Sequence, residues 1–202
     1  MHTQKSAADV TMAKQIAVDS DLTRYGFFPV RMTNIEIVRA EPDHEPILAN
    51  LLQLYAHDFS EFYDLDLGPD GRFVYNELPL YFREPNRHAF LVRKDGMWAG
   101  FILVRRGSQI SGAEDVWDLA EFFVVRGCRR RGVGTEIARR IWTRFPGKWE
   151  VRVLEANRSA QPFWAQAIAL FAGREIAPVP VKKNGEGWQV YSFESPGVSA
   201  QS

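Results

Sequence analysis

The run from Asp118 to Phe145 constrains the fold more than any other part of this chain. It opens with DLAEFFVV, an apolar stretch that predicts a buried strand. RGCRRRGVG follows as a tight basic turn. The helix after it sets Val133, Ile137, Ala138, Ile141, Trp142 and Phe145 on one stripe, with Arg139, Arg140 and Arg144 toward water. Strand, glycine turn and helix start, in that order, make an anion site. The first N–H groups of a helix have no intrahelical partners, and the helix dipole adds positive potential at the same end. Gly132 and Gly134 let a ligand approach the backbone, and Arg126, Arg129, Arg130 and Arg131 add cationic side chains.

Two familiar phosphate motifs do not fit the turn. A P-loop needs Gly-Lys-Ser/Thr, and here Gly134 precedes Thr135 with no lysine. A dinucleotide fingerprint needs a third glycine where Ile137 stands, and expects its turn after the first strand of a βαβ unit rather than the fourth strand.

The flanking pattern alternates strands and helices. Strands are expected at Ile35–Ala40, His88–Arg93, Met97–Arg106, Val116–Val125, Trp149–Glu155, Arg174–Val181 and Trp188–Glu194. Helices are expected from Pro42 to Tyr55, Gly132 to Phe145 and Ser159 to Phe171, with a short helix or loop at Leu78–Phe82. No repeat or internal linker interrupts this order, which predicts one α/β domain over residues 33–195. Residues 1–32 read as a peripheral extension, whose Tyr25, Phe27 and Phe28 could dock on a partner subunit in a homodimer; 196–202 read as a tail.

Charge narrows the function classes. Lys plus Arg and Asp plus Glu each total 25, so the basic cluster is local and a nucleic-acid partner is not expected. No apolar run approaches the roughly 20 residues of a membrane helix. One cysteine, Cys128, excludes an internal disulfide, and the N-terminal stretch lacks a signal-peptide core, which together suggest a cytoplasmic protein. The four histidines show no metal-ligand spacing, so no metal is expected.

What remains at the turn is Arg-x-x-Gly-x-Gly, filled by Arg129, Gly132 and Gly134. It resembles the acetyl-CoA-binding motif of the GNAT N-acetyltransferase superfamily. Downstream, Asn157-x-x-Ala160-x-x-Phe163-Trp164 resembles that family's second cofactor motif. The resemblance implies a mixed, mostly antiparallel central sheet flanked by helices and splayed at a cofactor cleft. It also implies acetyl-CoA as co-substrate. Backbone amides from Arg129 through Arg130, Arg131, Gly132, Val133 and Gly134 to Thr135 would hold the pyrophosphate, with Arg129 and Arg131 offsetting its charge. The backbone of Phe123, Val124 and Val125 would pair with the pantetheine arm. Asn157 would contact the same arm, and Phe163 and Trp164 would wall the site.

Acetyl transfer to an amine requires removal of a proton from an ammonium. Glu121, mid-strand in an apolar run, is the candidate base, and an ion pair with a nearby arginine is the alternative role. Trp164 stands where the family pattern usually has a tyrosine to protonate the departing thiolate, and an indole N–H does not ionise near neutral pH. Tyr191 or Tyr55 could supply the hydroxyl instead. Asp58, Glu61, Asp64, Asp66 and Asp70, set among Phe59, Phe62, Tyr63 and Phe73, suit a cationic amine, with Asp58 and Tyr63 as the candidate substrate contacts; a solvated acidic loop is the alternative. The expected function is transfer of acetyl to a small amine or polyamine-like acceptor by direct attack. Acyl-CoA binding without catalysis is the rival reading.

Overall fold

A computed structural model describes residues 34–196; the extension expected over 1–32 and residues 197–202 of the expected tail lie outside them. Strand β1 (Ile35–Arg39) alternates apolar and polar side chains and leads through a 3-10 turn at Pro42–His44 into α1 (Glu45–Phe59). That helix runs past the expected end at Tyr55. No glycine or proline follows until Gly68, and Phe59 stacks on Tyr55 one turn earlier, with ring centroids 5.3 Å apart. A 3-10 turn at Leu78–Phe82 precedes the hairpin of β2 (Arg87–Lys94) and β3 (Met97–Arg106). Then come β4 (Trp117–Val124), α2 (Val133–Arg144), β5 (Gly147–Leu154) and α3 (Ala160–Ala172).

The closing hairpin is β6 (Val179–Lys183) with β7 (Glu186–Ser195). Its first strand begins later than Arg174. Gly173 ends α3 in a left-handed conformation at φ 68°, and the connection up to Pro178 is irregular. Pro180 is accommodated because β6 is an edge strand.

The seven strands lie in the order β1-β2-β3-β4-β5-β7-β6. All neighbours are antiparallel except β4 and β5. Helices α2 and α3 cover one face through Val133, Ile137, Ile141, Trp142 and Ile168, packed on Val104, Trp149 and Tyr191. Helix α1 covers the other through Leu48, Leu51 and Leu52, packed on Leu91, Phe101 and Leu103. Each such side chain contributes about 1.5–3 kcal/mol on full burial, so both faces are firmly closed around the sheet.

Candidate active site

The site forms where the sheet comes apart. Parallel strands β4 and β5 pair only at Trp117↔Trp149 and Asp118↔Glu150, and beyond Asp118 they diverge. A cavity of about 970 Å³ occupies the split, lined by β4 residues 119–124, β5 residues 151–154, the loop before α2, the start of α3 and the end of α1. The N–H of Val125 is given to the Ala99 carbonyl on β3. Strand alternation therefore turns the backbone groups of Val124 and Phe122 the other way, into the split. Part of that edge is already occupied: Arg129 Nε donates to the Val124 carbonyl at 2.6 Å, and Arg152 Nη2 to the Ala120 carbonyl at 3.1 Å.

A β-bulge decides which way Glu121 points. In the β3–β4 register Leu103 faces Glu121 and Val104 faces Leu119, leaving Ala120 as the extra residue. Leu119 packs into the core under α2 and α3, while Ala120 and Phe123 belong to the core under α1. Without the bulge Glu121 would share the face of Leu119. With it, Glu121 meets α1, where Tyr55 Oη donates to Glu121 Oε2 at 2.5 Å and Tyr75 Oη donates to Oε1 at 3.3 Å. Burial pushes the Glu121 carboxyl above the usual carboxylate range, against the pull of Arg152 and the two phenol hydrogen bonds. Burial, and then the charge of Glu121, push the Tyr55 phenol well above its ordinary value.

Behind Glu121 runs a chain of charges. Asp118, 2 % exposed, accepts from Arg105 at 2.7 and 2.8 Å and from Arg152 at 2.5 Å. Burial disfavours the Arg152 charge, but Asp118 and Glu121 outweigh it and hold the guanidinium above its ordinary range. The ion pair considered for Glu121 is thus taken by Asp118, and Arg152 acts on Glu121 through its field.

At the other end of the cavity lies the start of α2. Gly132 caps it in a left-handed conformation at φ 74°, and the first helical bond runs from Glu136 N–H to the Gly132 carbonyl. The N–H groups of Val133, Gly134 and Thr135 precede that bond and are the free donors of the helix end. A Cβ on Gly134 would lie 3.0 Å from the Phe163 ring, so hydrogen at this position is what allows α3 to close on the turn. Arg129 is committed: besides the Val124 carbonyl, it pairs with Asp58 at 2.5 Å, and Arg126 pairs with Asp58 at 2.8 Å. Burial raises the Asp58 carboxyl, but hydrogen bonds from Arg129 and Arg126 prevail and hold it below its usual range. Among the described residues the guanidiniums of Arg130 and Arg131 have no carboxylate partner.

Asn157 stands at the mouth between β5 and α3. Its Oδ1 accepts from Ser159 Oγ at 3.0 Å and Ala160 N at 3.2 Å, which caps α3 and leaves the amide nitrogen for the cavity. Phe163 and Trp164 line the same wall; Trp164 is buried edge-on to Phe122, with centroids 5.0 Å apart.

Residues 48–168 match the Acetyltransferase (GNAT) family. The chain belongs to that family. No curated protein matches the sequence of this GNAT acetyltransferase. Among solved structures, an acetyltransferase from Thermus thermophilus aligns with TM-score 0.61 at 17 % identity, over 80 % of this chain and 97 % of that one. The yncA protein of Salmonella typhimurium, solved with its cofactor acetyl-CoA, aligns with TM-score 0.56 at 14 % identity, over 84 % and 98 % of the two chains. Arabidopsis thaliana NAA60, in complex with acetyl-CoA, gives 0.53 at 12 % identity, over 80 % and 98 %. At such identities the likeness establishes the shared fold.

Within this GNAT chain, the structure brings Glu121, Phe123, Val124, Arg129, Arg130, Gly134, Asn157, Phe163, Trp164, Asp58 and Tyr63 around one cavity. Tyr55 lines it too, whereas Tyr191 is buried under α2 and α3 and does not. Asp64, Asp66 and Asp70 are exposed and do not line it, and Asp58 is spent on two arginines. That part of the cavity wall comes from Tyr63, whose hydroxyl donates to Glu186, together with Glu61, Arg152 and Trp188. Sequence reasoning missed Tyr75, Arg152, Glu186 and Trp188. Arg152 gave no signal, because the alternation in WEVRVLE sets it on the polar face with Glu150, opposite Trp149, Val151 and Val153. Among the described residues no cluster of His, Cys, Asp and Glu is placed to hold a metal, and no helix is long and apolar enough to cross a membrane.

Proposed function

We propose that this protein transfers the acetyl group of acetyl-CoA to a small amine by direct attack, with Glu121 as the general base. The observation that carries the reading is the position of Glu121. It is a desolvated carboxylate on the wall of a split whose far end is the free N-terminus of α2. The residues present suit acetyl-CoA. The N–H groups of Val133, Gly134 and Thr135 with Arg130 and Arg131 match a pyrophosphate, and the backbone groups of Phe122 with the N–H of Val124, on the edge of β4, match the amides of a pantetheine arm. Arg129 and Asp58 brace that edge rather than contact phosphate directly. Bound there, acetyl-CoA supplies a thioester whose acyl carbon is open to attack.

Glu121 then removes a proton from the acceptor ammonium, which frees the nitrogen lone pair. The N–C bond forms, the C–S bond breaks, the leaving thiolate takes up a proton, and Glu121, once emptied, accepts the second proton from the attacking nitrogen. Tyr55 is the hydroxyl in place for that step. It gives its proton to sulfur and recovers one from Glu121 across their shared hydrogen bond. The stacked rings of Tyr55, Phe59 and Tyr63, with Glu61 and Glu186 beyond them, favour a cationic, polyamine-like acceptor. The single cysteine and the acetyl-CoA requirement support a reducing, cytoplasmic setting.

One observation favours binding without turnover, namely Trp164 in the place of an ionisable tyrosine. Thiol release from acetyl-CoA across a panel of amines decides the matter. Release with one acceptor class supports the enzyme reading. Tight acetyl-CoA binding by calorimetry with no release above background would favour the sensor, and no binding at millimolar levels would remove the cofactor assignment.

A further inference from the structure

Glu121 lies on the wall between two cavities. The first is the 970 Å³ split. The second, about 220 Å³, lies behind the carboxylate and is lined by Val74, Tyr75, Asn76, Glu77, Tyr81, Arg105 and Gln109, together with Ala120, Glu121 and Arg152. Glu121 is thus reached from two sides. Val74, Asn76 and Gln109 are exposed at the rim, while Tyr81, Arg105 and Ala120 are buried within. The lining is polar for so small a space, and the Tyr81 hydroxyl, on a residue 5 % exposed, has no hydrogen-bond partner among the described residues. At about 30 Å³ of liquid volume each, several waters fit, and a polar, roomy cavity takes them up.

We propose that this rear cavity is the proton exit of the acetyltransferase, carrying the proton collected by Glu121 to bulk solvent through Tyr75, Tyr81 and the water between them. The inference rests on Glu121 being the base. The need for an exit follows from the reaction's balance. An acceptor ammonium that becomes a secondary amide loses two protons. One ends on the thiol of coenzyme A and the other must leave the protein. The front side of Glu121 faces the cleft, where acceptor and cofactor exclude water during turnover. The rear side meets Tyr75, whose hydroxyl already bonds Oε1, the oxygen that Tyr55 does not hold. A protonated Glu121 passes its hydrogen to the Tyr75 oxygen as Tyr75 passes its own outward. Tyr81 is the next hydroxyl on the wall, and Glu77, paired with Arg87 at 2.6 Å and within 3.6 Å of Arg105, stands toward the rim. The charged and titratable groups around Glu121 include Tyr55 on α1, Tyr63 just beyond it, Tyr75 on the connecting loop, Tyr81 in the 3-10 turn, Asp118 on β4 and Arg152 on β5. Of these Tyr75, Tyr81 and Arg152 line the rear cavity, and Arg152 cannot give up its proton.

The test compares Tyr75→Phe, Tyr81→Phe and the double variant with the parent, under steady-state and single-turnover conditions, in H2O and D2O. A single turnover ends with the proton still on Glu121, so a blocked exit leaves it intact. The expected result is a kcat lowered threefold or more, with a larger solvent isotope effect and partial recovery at high buffer concentration. Tyr75→Phe also removes a hydrogen bond that lowers the Glu121 pKa, so rates are compared at a pH above the acid limb of each variant, where both KM values and the single-turnover rate stay within twofold. An unchanged kcat in the double variant, or a single-turnover rate that falls in step with kcat, overturns the proposal. Glu121→Gln, run alongside, separates the two failures. If that variant turns over normally, the base assignment is wrong. If it is inactive while the tyrosine variants behave as the parent, only the exit is wrong.

Discussion

The hydroxyl of Tyr55 sits 2.5 Å from Glu121 Oε2, tying the C-terminal half of α1 to the bulge in β4. This one bond joins the helix whose end lines the cleft to the strand whose edge opens into it. The chemistry proposed for the protein depends on both being held in register.

Glu121→Gln removes the proposed base while keeping its shape and its capacity for hydrogen bonds. Turnover is expected to fall by about 10²–10⁴, the usual worth of a general base, with acetyl-CoA affinity within twofold of the parent. Paired thiol-release and calorimetric measurements check this, and equal loss of both would point to a structural role.

Tyr55→Phe changes the pH dependence. The Tyr55 hydrogen bond lowers the Glu121 pKa against burial, so its removal raises that pKa further. The base works ionised, and activity is lost as pH falls through its pKa. The acid limb of kcat/KM is therefore expected to move to higher pH. Arg152→Met moves it the same way, because the Arg152 charge also holds the Glu121 pKa down. An acid limb that stays in place in both variants would assign it to another group.

At the turn, Gly134→Val forces a side chain against Phe163, whose ring lies 3.0 Å from the Cβ position. Gly132→Val also requires a left-handed β-branched residue, at a cost of about 1–2 kcal/mol. Acetyl-CoA binding is expected to drop at least tenfold in each while the far-UV circular dichroism spectrum holds. Retained affinity would show that the loop does not carry the pyrophosphate.

Arg131→Ala removes a guanidinium that has no carboxylate partner among the described residues. A loss of about 1 kcal/mol, near fivefold in affinity, is expected for an exposed charge, and the loss shrinks in high salt. Titration at two ionic strengths reads both effects.

Asp118→Asn removes the carboxylate that pairs with both Arg105 and Arg152 at close range, leaving Arg105 the more distant Glu77 at 3.6 Å and Arg152 the field of Glu121. Breaking such a buried network costs about 3–5 kcal/mol. For a chain of this size that lowers Tm by on the order of 10 °C. A thermal melt within a degree or two of the parent would show that the network contributes little net stability.

How much of this was legible beforehand depends on how local the cause is. The strand, the Arg/Gly turn and α2 follow from side-chain periodicity and two glycines within one contiguous stretch, Asp118–Arg144. Propensity and capping act over a few residues, so residue order is enough to show that a buried strand feeds an open helix N-terminus. It likewise determined the order of the other elements, and it missed only where termination depends on packing, as at the end of α1 and the start of β6.

Tertiary structure decided the rest. Glu121 meets Tyr55 and Tyr75 from 66 and 46 positions away, and Asp58 reaches Arg129 across 71. Such partnerships depend on the strand order and on a single bulged residue, Ala120, that turns Glu121 from one face of the sheet to the other. The alternation in LAEFFVV does not show the bulge, because it is set by pairing with β3. Which arginines stand free for a phosphate was hidden for the same reason. The four arginines of RGCRRR look alike in sequence, and only the fold brings Asp58 to neutralise two of them.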